Sequence, residues 1–131
     1  MMMQRYEAFY PGQVVKLSGG GYPMTVKPSD EDDRGVDTCC VWFNLDLGGE
    51  PIEYTFPTNT LKLQEGQEQY GYPHTRFTSG EVVKLRSGGP SMTVHSKQTL
   101  SGVTLVTCIW QDKKNREPLK AAFPSEMLVA E

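Results

Sequence analysis

Four groups of residues in this 131-residue chain have side chains or spacings that invite chemistry. The first is a pair of glycine-rich segments, Ser18-Gly19-Gly20-Gly21 and Ser87-Gly88-Gly89. A phosphate loop needs a spaced glycine followed by Gly-Lys-Ser/Thr at the start of a helix, whose first amides hold the anion. Here both segments run into Met-Thr-Val, at Met24-Thr25-Val26 and Met92-Thr93-Val94, so they read as turn glycines between strands. The second is Asp30-Glu31-Asp32-Asp33-Arg34-Gly35, which has carboxylates at the first and third positions and glycine at the sixth, as a calcium loop does. Its twelfth position is Val41, where that loop needs a bidentate glutamate, so an acidic surface loop offering negative charge to a basic partner is expected. The third group is His74 and His95, neither of which pairs with a nucleophile in any recognisable pattern, so no enzyme is expected. Cys39, Cys40 and Cys108 form the last group. They are odd in number and show no zinc-type spacing, so they read as free, mostly buried thiols in a reducing compartment, and no metal or cofactor is implied.

Binding chemistry has better material. Trp42 and Trp110 are either core residues beside the cysteine strands or the floor of a groove; Tyr22, Tyr54, Tyr70 and Tyr72 are the other candidate aromatics, of which Tyr22, in a glycine-rich turn, is expected to be exposed. Tyr22, Tyr54 and the acidic run Asp30, Glu31, Asp32, Asp33 are therefore the candidate contacts for a protein partner. A second candidate surface is basic: Lys84, Arg86, Lys113, Lys114 and Arg116, supported by Lys97 and Lys120, would suit nucleic acid. The sequence pI near 5.4 argues against a dedicated nucleic-acid binder.

The elements that must position these residues occur twice. Phe9 to Val26 returns as Phe77 to Val94 at a constant offset of 68 residues, with 11 of 18 positions identical. The same register carries Cys40-Val41-Trp42 onto Cys108-Ile109-Trp110, and Phe56-Pro57 onto Phe123-Pro124 one residue short. Such a repeat predicts two copies of one small domain, at 1–66 (core 9–63) and 77–131, joined by a linker at 67–76. A unit of this size buries only about 60% of its unfolded surface, which favours a hydrophobic seam shared between the copies, with two independent units as the alternative. Charge divides unevenly: residues 1–66 hold five Lys/Arg against ten Asp/Glu, net −5, and residues 67–131 hold eight against six, net +2. No stretch approaches the ~20 apolar residues of a membrane span, and the amino terminus lacks a signal-peptide pattern, so a cytoplasmic protein is expected.

Within each copy, Val-Val-Lys-Leu, a glycine turn and Met-Thr-Val predict a hairpin. A polar loop follows, Lys27 to Gly35 or Ser96 to Gly102. Third strands are predicted at Asp37–Phe43 and Leu105–Trp110, and fourth strands at Ile52–Phe56 and Leu119–Phe123. Phe-Pro ends the fourth strand, one helical turn follows at Thr58–Thr60 or Ser125–Glu126, and a short strand closes the unit. This predicts an all-β protein of two tandem, small, SH3-like five-stranded barrels, each with a single short helical turn before its last strand.

The run Gly80-x-Val-Val-x-Leu-x-Ser-Gly-Gly-Pro-x-Met-Thr-Val94, then Val106-Thr-Cys-Ile-Trp110 and Phe123-Pro-Ser-Glu-Met-Leu128, resembles the YodC-like family of small, uncharacterised bacterial proteins. The first copy departs from it at Ser18 to Pro23, where the proline falls one place later, and at Thr38-Cys39-Cys40. The resemblance implies no catalytic residues. The expected function is a non-enzymatic adaptor binding a protein partner through loops and grooves. The alternatives are a nucleic-acid-associated module acting through the second copy, and a small acidic inhibitor from a phage or mobile element that blocks a basic site through Asp30 to Asp33. Sequence leaves oligomeric state open.

Overall fold

The computed structural model describes residues 9–28, 36–44, 49–65, 76–112 and 117–131. Within them the protein is all-β, apart from two single turns of 3-10 helix, and forms two five-stranded antiparallel sheets. The first holds β1 (Val14–Leu17), β2 (Met24–Val26), β3 (Asp37–Trp42), β4 (Ile52–Pro57) and β5 (Leu61–Leu63), in the order β4-β3-β2-β1-β5. The second holds β6 (Val82–Leu85), β7 (Met92–Leu100), β8 (Val103–Gln111), β9 (Pro118–Pro124) and β10 (Leu128–Ala130), in the order β10-β6-β7-β8-β9, which is the same topology. No helix among the described residues is long and apolar enough to cross a membrane.

Equivalent residues make equivalent bonds. Val15 faces Met24 across the first hairpin and Val83 faces Met92 across the second. Gly20 N–H donates to Leu17 O at 2.9 Å, and Gly88 N–H donates to Leu85 O at the same distance. Their φ angles, +106° and +107°, lie where a Cβ would be strained, which is why glycine closes this turn in both repeats. The helical turns fall where expected, at Thr58–Thr60 and Ser125–Met127, each entered from the proline that ends its fourth strand. The succession of five strands along each repeat, with a helical turn before the last, thus matches the expectation. No pairing among the described residues joins the edge strands β4 and β5, or β9 and β10.

One expectation fails. Ser96 to Gly102 is not a loop: β7 continues to Leu100, turns through Ser101 (φ +51°) and Gly102 (φ +80°), and returns as β8. A register shift between Val94 and Ser96 starts the extension. Beyond it Ser96 to Leu100 are exposed, so no face needs apolar residues and the alternation that betrays a strand is missing. Cross-strand pairs hold the ribbon instead, including Thr99 and Thr104, whose hydroxyls lie 3.1 Å apart. The corresponding first-repeat loop, 29–35, lies outside the described residues.

The buried residues fall into two clusters of unequal size. Val15, Met24, Val26, Cys40 and Leu61 form the smaller one, inside the first sheet. The larger gathers Val83, Val94, Val106, Cys108, Met127, Leu128 and others from the second sheet, together with Val41 and Phe43 from the first repeat. Cys40 and Cys108 therefore sit in separate cores, and all three cysteines are free.

Candidate functional site

Side chains alternate between the two faces of a strand, so Thr38, Cys40 and Trp42 on β3 share one face, while Val41 points to the other and Phe43 continues its phase. The Cys40 face looks into the first repeat's own core. The Val41 face covers the second repeat. Phe43 stands edge-on to Trp110, with centroids 5.5 Å apart and planes at 85°, and lies 6.3 Å from the Phe123 ring. A Cβ added at Gly89 would come within 2.6 Å of the Phe43 ring, so glycine here permits the close approach as well as the φ of +138°. Beside this contact Thr25 is fully buried: its hydroxyl donates to Ser87 Oγ at 2.7 Å and accepts from the Ser87 N–H at 2.9 Å. An outward face of the first sheet thus closes the aromatic end of the second repeat.

Among the described residues nothing plays the part of Phe43 at the equivalent end of the first repeat. β4 pairs with β3 through Thr38–Phe56, Cys40–Tyr54 and Trp42–Ile52, which sets Phe56, Tyr54 and Ile52 on one face of their strand. In the second repeat the corresponding Phe123 and Trp110 are 3% and 5% exposed. Phe56 and Trp42 are only half-buried, and Tyr54 is 59% exposed. Rings meet in a row, with Tyr54 to Phe56 at 4.7 Å and Trp42 to Phe56 at 6.2 Å. Gly21, the counterpart of Gly89, has no described atom within 4 Å of its would-be Cβ.

Of the expected protein contacts, Tyr54 belongs to this aromatic row. Tyr22 is 66% exposed beside Gly21, and the ring contacts among the described residues do not include it. Asp30, Glu31, Asp32 and Asp33 lie outside the described residues, as do Lys113, Lys114 and Arg116. Lys84 is half-buried within β6, opposite Val129. Arg86 donates through Nε to the Glu126 carbonyl at 2.8 Å, so its guanidinium has a structural partner inside the second repeat. Trp110 is a core residue, whereas Trp42 is shared between core and surface. Ile52 and Phe43 are the participants that sequence reasoning passed over. Adjacent aromatics, Trp42-Phe43, were the available signal, because consecutive strand positions cannot both face one core.

Burial makes all three thiols weaker acids. Burial pushes Cys40 up to about 12, helped by the neighbouring Cys39, and burial pushes Cys108 up to about 11. Burial also raises Cys39, whose Sγ lies 3.5 Å from Glu53 Oε2; that carboxylate pairs with Lys27 at 3.0 Å. A thiol raised in this way is mostly protonated at neutral pH, and the protonated form is a poor nucleophile. Among the described residues no group of three or more His, Cys, Asp or Glu is placed to hold a metal ion.

No curated protein matches the chain. Residues 78–128, which span the second sheet from just before β6 to the start of β10, match the family described as an uncharacterized small protein, DUF2158.

Proposed function

We propose that the chain is a non-enzymatic adaptor that binds a protein partner through the first repeat. The observation behind this reading is the half-open aromatic end formed by Trp42, Tyr54 and Phe56, whose counterpart in the second repeat is sealed by Phe43. Exposed aromatic rings with one packed edge are the usual anchors of protein interfaces. The same reading treats residues 1–66 and 77–131 as two tandem SH3-like barrel domains of one family. Its supports are the shared strand order, the helical turn before the last strand and the internal repeat. It also makes the protein cytoplasmic, in keeping with its free, buried thiols.

The test is affinity capture from native extract with the wild-type chain, alongside Tyr54→Ala and Tyr22→Ala. One protein retained by the wild type and lost with Tyr54→Ala is expected; equal retention by all three removes this surface from the reading. The exposed β7–β8 ribbon, bearing His95 and Lys97, favours nucleic acid as a second reading. That reading requires salt-dependent retention on single-stranded DNA or RNA, lost on replacing Lys113 and Lys114 by glutamate.

A further inference from the structure

We propose that the open end of the first repeat is an acceptor for an aromatic side chain carried on a cationic segment of the partner protein. It rests on the protein-binding reading above and names what that surface takes. The molecule supplies its own template. In the second repeat, Gly89, Trp110 and Phe123 receive Phe43, which contacts all three. Gly21, Trp42 and Phe56 occupy the same positions in the first repeat, and no described residue lies within 4 Å of a Cβ built on Gly21. Gly21 keeps the positive φ, at +152°, so the turn that admits a ring at Gly89 is also built here. Tyr54 replaces Ala121 at this end and packs on Phe56 with most of its ring exposed. It offers an incoming ring an aromatic wall and a flanking cation a π face.

A second copy of this chain is a poor occupant. The donor face of the first repeat is Thr25, Val41 and Phe43, and the equivalent residues of the second repeat are Thr93, Ile109 and Gln111. Gln111 would bring an amide where the template brings a phenyl ring, and burying that amide without partners is unfavourable. Phe43 itself is already committed within its own chain. The glutamine thus lets one chain carry a donor and an acceptor without stacking end to end. Charge narrows the partner further, since residues 1–66 carry a net charge of −5 and favour basic residues around the anchor.

The test uses the full chain, labelled with nitrogen-15 at its two tryptophan indoles. The probe is the peptide acetyl-Lys-Val-Ser-Phe-Lys-amide, patterned on the chain's own donor strand and titrated into the millimolar range. The expected result is a saturable shift of the Trp42 indole N–H signal with Trp110 unmoved. The peptide with alanine for phenylalanine should bind at least about tenfold more weakly. Ile52→Lys, an exposed change on the acceptor strand, should weaken binding by about the same factor without altering the unfolding midpoint. Phe43→Ala should add a second saturable shift, at Trp110, by emptying the template site. A Trp42 signal that does not move, or equal binding of the phenylalanine and alanine peptides, overturns the proposal. Peptide binding at Trp42 with no protein captured from extract leaves the acceptor standing and removes the adaptor reading.

Discussion

The two repeats carry the same glycine turn, the same Cys-x-Trp strand and the same Phe-Pro corner, yet they bury them to different depths. In the second, Trp110 and Phe123 are sealed; in the first, Trp42 and Phe56 remain half-open. Nothing in these shared residues accounts for the gap. It comes from Phe43, which leaves the first repeat's surface to complete the core of the second. Thirteen buried residues gather around the second sheet and five inside the first, among those described, so one repeat has borrowed core from the other. The lesson is that a small β unit's interior is not set by its own strands alone: a neighbour's outward face can finish it.

Removing the borrowed residue should produce the largest effect. Phe43→Ala deletes a buried ring from between Trp110 and Phe123 and is expected to lower stability by about 3–5 kcal/mol in urea denaturation. Phe56→Ala removes a half-buried ring and should cost roughly 1–2 kcal/mol. Equal losses at the two positions would mean that Phe43 seals nothing.

A finer comparison uses the paired glycines. Gly21→Ala and Gly89→Ala both force a Cβ onto a positive φ, a strain of about 1–3 kcal/mol each. Only at Gly89 does the added carbon strike Phe43, which should add about 1–3 kcal/mol of overpacking. Repeating both substitutions in the Phe43→Ala background should erase the difference between them, because the obstacle is gone. A difference that persists would place its cause in the turn itself and not in the contact with Phe43.

Most of the strand plan was legible because it rests on local signals: β-branched runs, turn glycines and the proline that ends each fourth strand. The β7–β8 ribbon was not, since Ser96 to Leu100 face solvent and carry no periodic signature. The site was half legible. Tyr54 was among the candidate contacts, but its exposure and its place in the aromatic row become visible only beside the second repeat, where Ala121 stands instead. Phe43 left two traces in the sequence, its adjacency to Trp42 and its replacement by Gln111 in the second repeat. Repeat comparison emphasises identities, so the informative position was the one that differed.

The smallest expected effect separates two residues that do the same work with different chemistry. Gln13 Oε1 accepts from the Tyr10 N–H at 2.8 Å, and Glu81 Oε1 accepts from the Thr78 N–H at 2.7 Å, so each side chain ties the turn that opens its repeat. The amide of Gln13 does not titrate. Glu81 does, and its pKa is held below the ordinary glutamate value by the Thr78 backbone N–H, then by the Thr78 hydroxyl at 2.9 Å, with a contribution from Lys97. A carboxyl whose pKa is depressed by folding stabilises the native state above its unfolded pKa, and that stabilisation disappears as pH falls through its folded pKa. Other carboxylates titrate in the same range, so the measurement is the stability difference between wild type and Glu81→Gln, which rebuilds the Gln13 arrangement. This difference should favour wild type near neutral pH and shrink on acidification below the ordinary glutamate range, because the charge-assisted bond is then lost while the amide bond remains. A Gln13→Glu variant should make the first repeat acid-sensitive in the same direction. If wild type and Glu81→Gln lose stability in parallel from neutral pH downward, the charge on Glu81 contributes nothing to folding beyond what the amide supplies.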